Sequence, residues 1–243
     1  MQKQSRKIRQ NLITKEKFNK YFTWSVFEIL FVVIGILIAF QIDNWNERRK
    51  TDLLEIQLLS EIRDGLSNDL NDLNVNLLWQ SEIFDSQIST IDWLESDLDY
   101  TDSLSHTLSN SLKGSFVLIS EGPYETLKQF GVNQIQNSTI RKSIIDLYEI
   151  GFPAYRKIYQ LYADQLVRTI SEGADQFTEY SMFVEEDVVK PINTLQLKND
   201  NKYLFHLKTL KNINRLAILK SRELKIMLEE TIAALDKELE KRQ

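Results

Sequence analysis

Cysteine is absent from the 243 residues. That excludes disulfides, thiol catalysis and thiolate metal sites. Histidine is nearly absent: His106 and His206 stand a hundred positions apart with no companion ligands beside either. Metal centres and Ser/His/Asp triads need clustered partners, so neither is expected. The phosphate-binding glycine loops G-x-x-x-x-G-K-[ST] and G-x-G-x-x-G are missing, as is the nucleophile elbow G-x-S-x-G. No catalytic residue, cofactor or metal is therefore expected. Only 7 glycines and 3 prolines interrupt the chain, and alternating strand patterns are scarce. So few helix breakers predict long helices.

What is present begins with charge asymmetry. The net charge is −5, yet residues 1–20 carry Lys3, Arg6, Lys7, Arg9, Lys15, Lys17 and Lys20 against Glu16 alone. A short basic segment before an acidic body is an orientation signal for membrane insertion, not a nucleic-acid footprint. Behind it runs YFTWSVFEILFVVIGILIAFQI, Tyr21 to Ile42. At about 1.5 Å per residue this helix spans roughly 33 Å, which matches a hydrocarbon core of about 30 Å. Trp24 and Trp45 stand near its ends, where indoles prefer the headgroup region. Ala39-Phe40-Gln41 lacks the small-x-small pattern of a cleavage site, so an uncleaved anchor is expected.

The sequence thus divides into a basic cytoplasmic tail (1–20), a transmembrane helix (21–42) and a soluble helical domain (43–243). Seven basic residues precede the span, while Arg48, Arg49, Lys50 and Arg63 follow it. The excess favours a cytoplasmic N-terminus and an exported C-terminal domain.

Glu28 is the odd residue of the span. It shares a helix face with Val32, Gly35, Ala39 and Ile42, at spacings of four, three, four and three. Gly35-x-x-x-Ala39 lets two helices approach closely. One reading makes this face the contact with a second copy or another membrane protein, which gives Glu28 a partner. The other places Glu28 at the boundary, reaching water. Both stay open on sequence alone.

Several stretches carry a resemblance. Glu28-Ile29, then Val32-Val33-Ile34-Gly35-Ile36-Leu37-Ile38-Ala39, then Gln41-Ile42-x-Asn44-Trp45-Asn46-Glu47 form the first. Tyr124-Glu125-Thr126-Leu127-Lys128, Gly131, Ile135, Asn137, Arg141, Ile144 and Tyr148 form the second. Together they resemble an uncharacterised family of membrane proteins of two-membrane bacteria, domain of unknown function 6090. That family reads Ser-Gly after the second motif; here Phe130-Gly131 stands instead. The resemblance implies an anchor and a helical domain, and no activity.

In the soluble part, Leu59, Ile62, Leu66, Leu70, Leu73, Leu77, Phe84, Ile88, Ile91 and Leu98 recur with a period close to 3.6. They predict one helix over 45–98, continuous with the anchor. Asp97-x-Asp99 has the start of a calcium loop without its glycine or closing glutamate, and reads as a solvated helix end. Phe116-Val117-Leu118-Ile119 reads as a buried extended connection. Pro123 fits a helix start, Gly131 a helix stop, and Asn137 or Ser138 a cap. Gly151-Phe152-Pro153 predicts a break, followed by a helix over 154–180. Tyr148, Tyr155, Tyr159 and Tyr162 read as packed core tyrosines in preference to a ligand pocket. Asn199 or Asp200 caps a last helix from 201, whose charged end, Asp236 to Arg242, is expected to fray.

The expected fold is all-α: one transmembrane helix followed by an antiparallel bundle with long helices. The expected role is interaction or scaffolding. The alternative is a sensor-like ligand-binding module, which needs a separate membrane partner because residues 1–20 are too short to signal.

Overall fold

The computed structural model describes residues 2–242 except 115–117 and 178–188, with the backbone alone for 2–21 and 23. Seven α-helices are seen among the described residues: α1 (Gln2–Leu94), α2 (Leu104–Ser111), α3 (Gly122–Phe130), α4 (Ser138–Asp146), α5 (Phe152–Gly173), α6 (Thr194–Lys198) and α7 (Asn201–Arg242). No strand occurs among these residues; one isolated bridge pairs Phe177 with Pro191. The chain is all-α, as its poverty in glycine and proline predicts. It divides into two compact units, Met1–Glu55 and Ile56–Gln243.

The first unit is helical from Gln2, so the basic segment continues the helix instead of preceding it. Every large apolar side chain described from Phe22 to Ile42 is exposed.

The second unit buries its apolar faces in two cores. The first joins Leu59, Ile62 and Leu66 of α1, Ile144 of α4, Phe152 and Tyr155 of α5, and Leu228 and Leu235 of α7. The second joins Ile91 and Leu94 of α1, Leu108 of α2, Leu166 of α5, and Leu207 and Leu210 of α7. Along α1 and α5 the first core comes before the second; along α7 the order reverses. Helix α7 therefore runs antiparallel to α1 and α5 within this unit. Long-range side-chain pairs repeat the order, with Arg63 Nε 3.5 Å from Asp236 Oδ1 and Lys208 paired with Glu95.

The caps follow the local sequence. Pro123 lies in the first turn of α3. Gly131 ends that helix at φ 106°, a left-handed conformation that costs glycine nothing. The Asn137 side chain accepts from the N–H groups of Thr139 and Ile140 and opens α4. Asp200 Oδ1 accepts from Lys202 N and Tyr203 N, each at 2.9 Å, and opens α7.

Five expectations are corrected. Helix α1 stops at Leu94, and Leu98 is 70% exposed instead of inward. Ser96 closes that end: its Oγ donates to Trp93 O of the last turn at 2.8 Å and accepts from Leu98 N at 3.2 Å. Lys198 holds the turn that follows, its Nζ donating to the carbonyls of Ser96 and Leu98 at 2.7 and 2.5 Å and lying 5.0 Å from the Trp93 ring centre. A side-chain hydroxyl on a last-turn carbonyl satisfies an acceptor that has no partner within the helix.

Gly151-Phe152-Pro153 does not break the chain direction. Leu147–Gly151 widens into a π-turn, and Phe152 N donates to Leu147 O, five residues back. Proline lacks the N–H for the normal ladder, and the wider turn absorbs that loss. Gly151 also lies close to α7. A Cβ on it would stand 3.1 Å from Met227 Cε and 3.4 Å from Leu224 Cδ1 on α7.

The helix beyond ends at Gly173, not 180; Phe177 is buried outside it. Finally, α7 continues to Arg242 without fraying among the described residues. Leu235 and Leu239 are buried, and Glu238 accepts from Asn137 Nδ2 at 2.8 Å and Arg242 Nε at 2.9 Å. Those bonds, the one from Asn137 foremost, hold its carboxyl below the ordinary glutamate range.

Of the apolar run Phe116–Ile119, the first two residues lie outside the described ones. Leu118 is 77% exposed, against the expectation of burial, while Ile119 packs on the first core.

Candidate functional site

The residues of the candidate contact face, Glu28, Val32, Gly35, Ala39 and Ile42, all lie on α1 and are all exposed. Their spacing keeps them on one helix face. A Cβ built on Gly35 would meet nothing within 4 Å. The face is therefore open to a closely approaching helix. Trp24, Phe27, Phe31 and Val32 surround Glu28 and line a shallow apolar depression on the helix surface. Trp24 and Trp45 are 73% and 61% exposed. They stand roughly 31 Å apart along the helix at about 1.5 Å per residue. Arg49 lies 5.9 Å from the Trp45 ring centre, and Lys50 pairs with Glu47 at 2.8 Å. A polar belt thus begins where the apolar run ends. This segment, Trp24 onward, is the single helix among the described residues long and apolar enough to cross a membrane by length and composition.

The second constellation surrounds the motif at Tyr124. The Tyr124 and Tyr148 rings stack 4.2 Å apart at 8°, and Phe152 meets Tyr148 edge-on at 5.1 Å. Tyr124 Oη donates to Glu149 Oε1 at 2.9 Å, and Tyr148 Oη donates to Ser120 O at 3.1 Å. Burial pushes both phenols up, out of reach of proton-transfer work near neutrality. Ser120 is held in turn by Asp69 of α1. Its N–H donates to Oδ1 and Oδ2 at 3.0 and 3.2 Å, and its hydroxyl donates to Oδ1 at 2.9 Å. Asp69 is 6% exposed, and burial raises its carboxyl pKa against the lowering by Ser120. The cluster fastens the segment before α3 to α1.

Asp69→Ala is expected to cost about 1–3 kcal/mol, because the Ser120 donors lose their acceptor. Asp69→Asn keeps one acceptor oxygen and is expected to cost less. The pH sign follows from the raised folded pKa. The native state holds the proton more tightly, so this group's contribution is fully present below the unfolded pKa and is lost as pH rises through the folded one. Chemical denaturation of both variants from pH 4 to pH 7 checks the cost and the sign.

The other sequence candidates disperse. His106 is exposed; His206 Nδ1 lies 3.1 Å from Gln165 Nε2. No group of three His, Asp or Glu that could hold a metal occurs among the described residues. Asp97 and Asp99 are exposed. The four tyrosines fall into both cores, Tyr148, Tyr155 and Tyr159 into the first and Tyr162 into the second. Sequence reading missed Asp69, Ser120 and Lys198. Their partners lie far along the chain, and no local pattern signals them.

The class is then plain: an all-α chain with one N-terminal helix of membrane-crossing length and apolarity. The chain belongs to the family of unknown function DUF6090, whose model matches residues 28–219. The match includes the Glu28 face and the Tyr124 motif. No curated protein and no solved structure matches it.

Proposed function

We propose that this chain is a membrane-anchored interaction or scaffold protein without catalytic activity. Its helix over 21–42 crosses a bacterial inner membrane once, with residues 1–20 in the cytoplasm. Residues 43–243 then form a periplasmic antiparallel bundle. One observation carries the reading: every residue from Phe22 to Ile42 whose side chain is described is exposed, including Phe31 at 69% and Ile36 at 63%. Apolar surface of that extent needs lipid or another helix against it. The basic excess before the span supports the orientation. Glu28, Val32, Gly35, Ala39 and Ile42 make the contact with a second copy or a partner membrane helix. A carboxyl in a span is costly and gains most from a partner across a close helix pair.

Because the chain has no cysteine, one introduced thiol reports without background. Gly35→Cys is expected to give a disulfide-linked product on oxidation of native membranes. Leu37→Cys, about 200° around the helix, is expected to give none. Glu28→Gln is expected to change the yield. Equal yields at both positions, or none, would remove the contact face.

A further inference from the structure

Between the two apolar cores lies a layer built from polar side chains. Helix α1 supplies Gln80 (1% exposed) and Gln87 (0%), and α7 supplies Asn214 (0%). Gln87 is satisfied. Its Nε2 donates to Ser111 O at 3.1 Å, and its Oε1 accepts from Asn214 Nδ2 at 3.1 Å. The Asn214 amide also lies 3.4 Å from Gln80 O, so both helices meet at this level. Gln80 Nε2, Gln80 Oε1 and Asn214 Oδ1 are buried and have no partner among the described residues.

Magnitude decides what this means. A buried polar group without a partner costs about 1–3 kcal/mol. Three such groups cost about 3–9 kcal/mol, against a total stability of about 5–15 kcal/mol for a domain. A dry layer would forfeit most of the fold's margin. The side chains are neutral amides, one offering donors and two offering acceptor oxygens. An ion would meet no opposite charge among them, whereas a small neutral molecule carrying both donors and acceptors matches the set.

We infer that the Gln80–Asn214 layer holds internal water, with bound waters accepting from Gln80 Nε2 and donating to Gln80 Oε1 and to Asn214 Oδ1. Buried waters with two to four polar partners are integral to folded domains. Here the water completes a layer that α1 and α7 cannot complete themselves.

The test uses the full chain in detergent micelles, with nitrogen-15 in glutamine and asparagine side chains. Rotating-frame transfer from water to the Gln80 amide protons is measured, with the sign that marks dipolar contact and not proton exchange. A cross-peak is expected in the wild type and its loss in Gln80→Met. Should that variant not fold, sequential assignment of the wild-type amide identifies the same peak. A folded wild type without a water cross-peak at Gln80 overturns the inference.

Discussion

Replacing Ile34 and Ile38 together by aspartate is expected to move the protein from the membrane pellet to the soluble fraction. Both side chains lie in the middle of the apolar run and are exposed, at 42% and 55%. Each aspartate near the centre of a spanning helix costs about 2.5–3.5 kcal/mol on insertion scales. The pair costs about 5–7 kcal/mol, between three and five powers of ten at about 1.4 kcal/mol each. The first core begins at Leu58, so its packing does not depend on either position. Carbonate extraction of native membranes measures the effect. A variant that stays resistant to extraction while remaining folded by circular dichroism would refute the spanning reading.

The long apolar helix of membrane-crossing length was legible because it needs nothing but its own sequence, an apolar run without a helix breaker strong enough to stop it. The inward face of α1 was legible from Leu59 to Leu73 for a similar reason, since one helix face repeats locally. It failed at Leu98. The end of α1 carries a Ser96 hydroxyl on Trp93 O, and the turn beyond it is held by Lys198, a hundred positions away, which periodicity cannot see. Pro123, Gly131 and Asn137 were legible because each acts on its own turn. Gly151 was read as a stop when it is a close-approach residue under Met227, which only packing reveals. The end of α7 was misjudged by weighing its charges above Leu235 and Leu239, which continue the buried stripe to the last turn.

The candidate site divides in the same way. The Glu28 face follows from helical spacing alone, and the structure places all five residues in the open on one helix. The Asp69–Ser120 clasp joins positions 51 apart, and the Gln80–Asn214 layer positions 134 apart. Gln80, Gln87 and Asn214 are polar residues at inward positions, so a pattern that scores only apolar residues passes over them. The inward polar residues that interrupt an otherwise regular stripe were the available signal.

Phe152→Ala is expected to be the most damaging single change in the second unit. Phe152 is 2% exposed, meets Tyr148 edge-on and belongs to the first core beside Tyr155 and Ile144. Removing a buried phenylalanine costs about 3–5 kcal/mol, part of it from the cavity left behind. Spread over a unit of this size, at about 2–4 °C per kcal/mol, the midpoint falls by roughly 6–20 °C. The control lies two residues earlier. Ile150 is 62% exposed, and Ile150→Ala is expected to stay within about 0.5 kcal/mol of wild type. The two residues are both large and apolar, so composition does not separate them. What separates them is the π-turn over Leu147–Gly151, whose extra residue rotates everything after it by about 100°. With an ordinary α-helical turn the inward positions would shift and the two substitutions would cost comparable amounts. Thermal unfolding of the pair therefore measures the turn itself: a large loss at Phe152 with none at Ile150 is the expected result, and equal losses would place the helix in the other register.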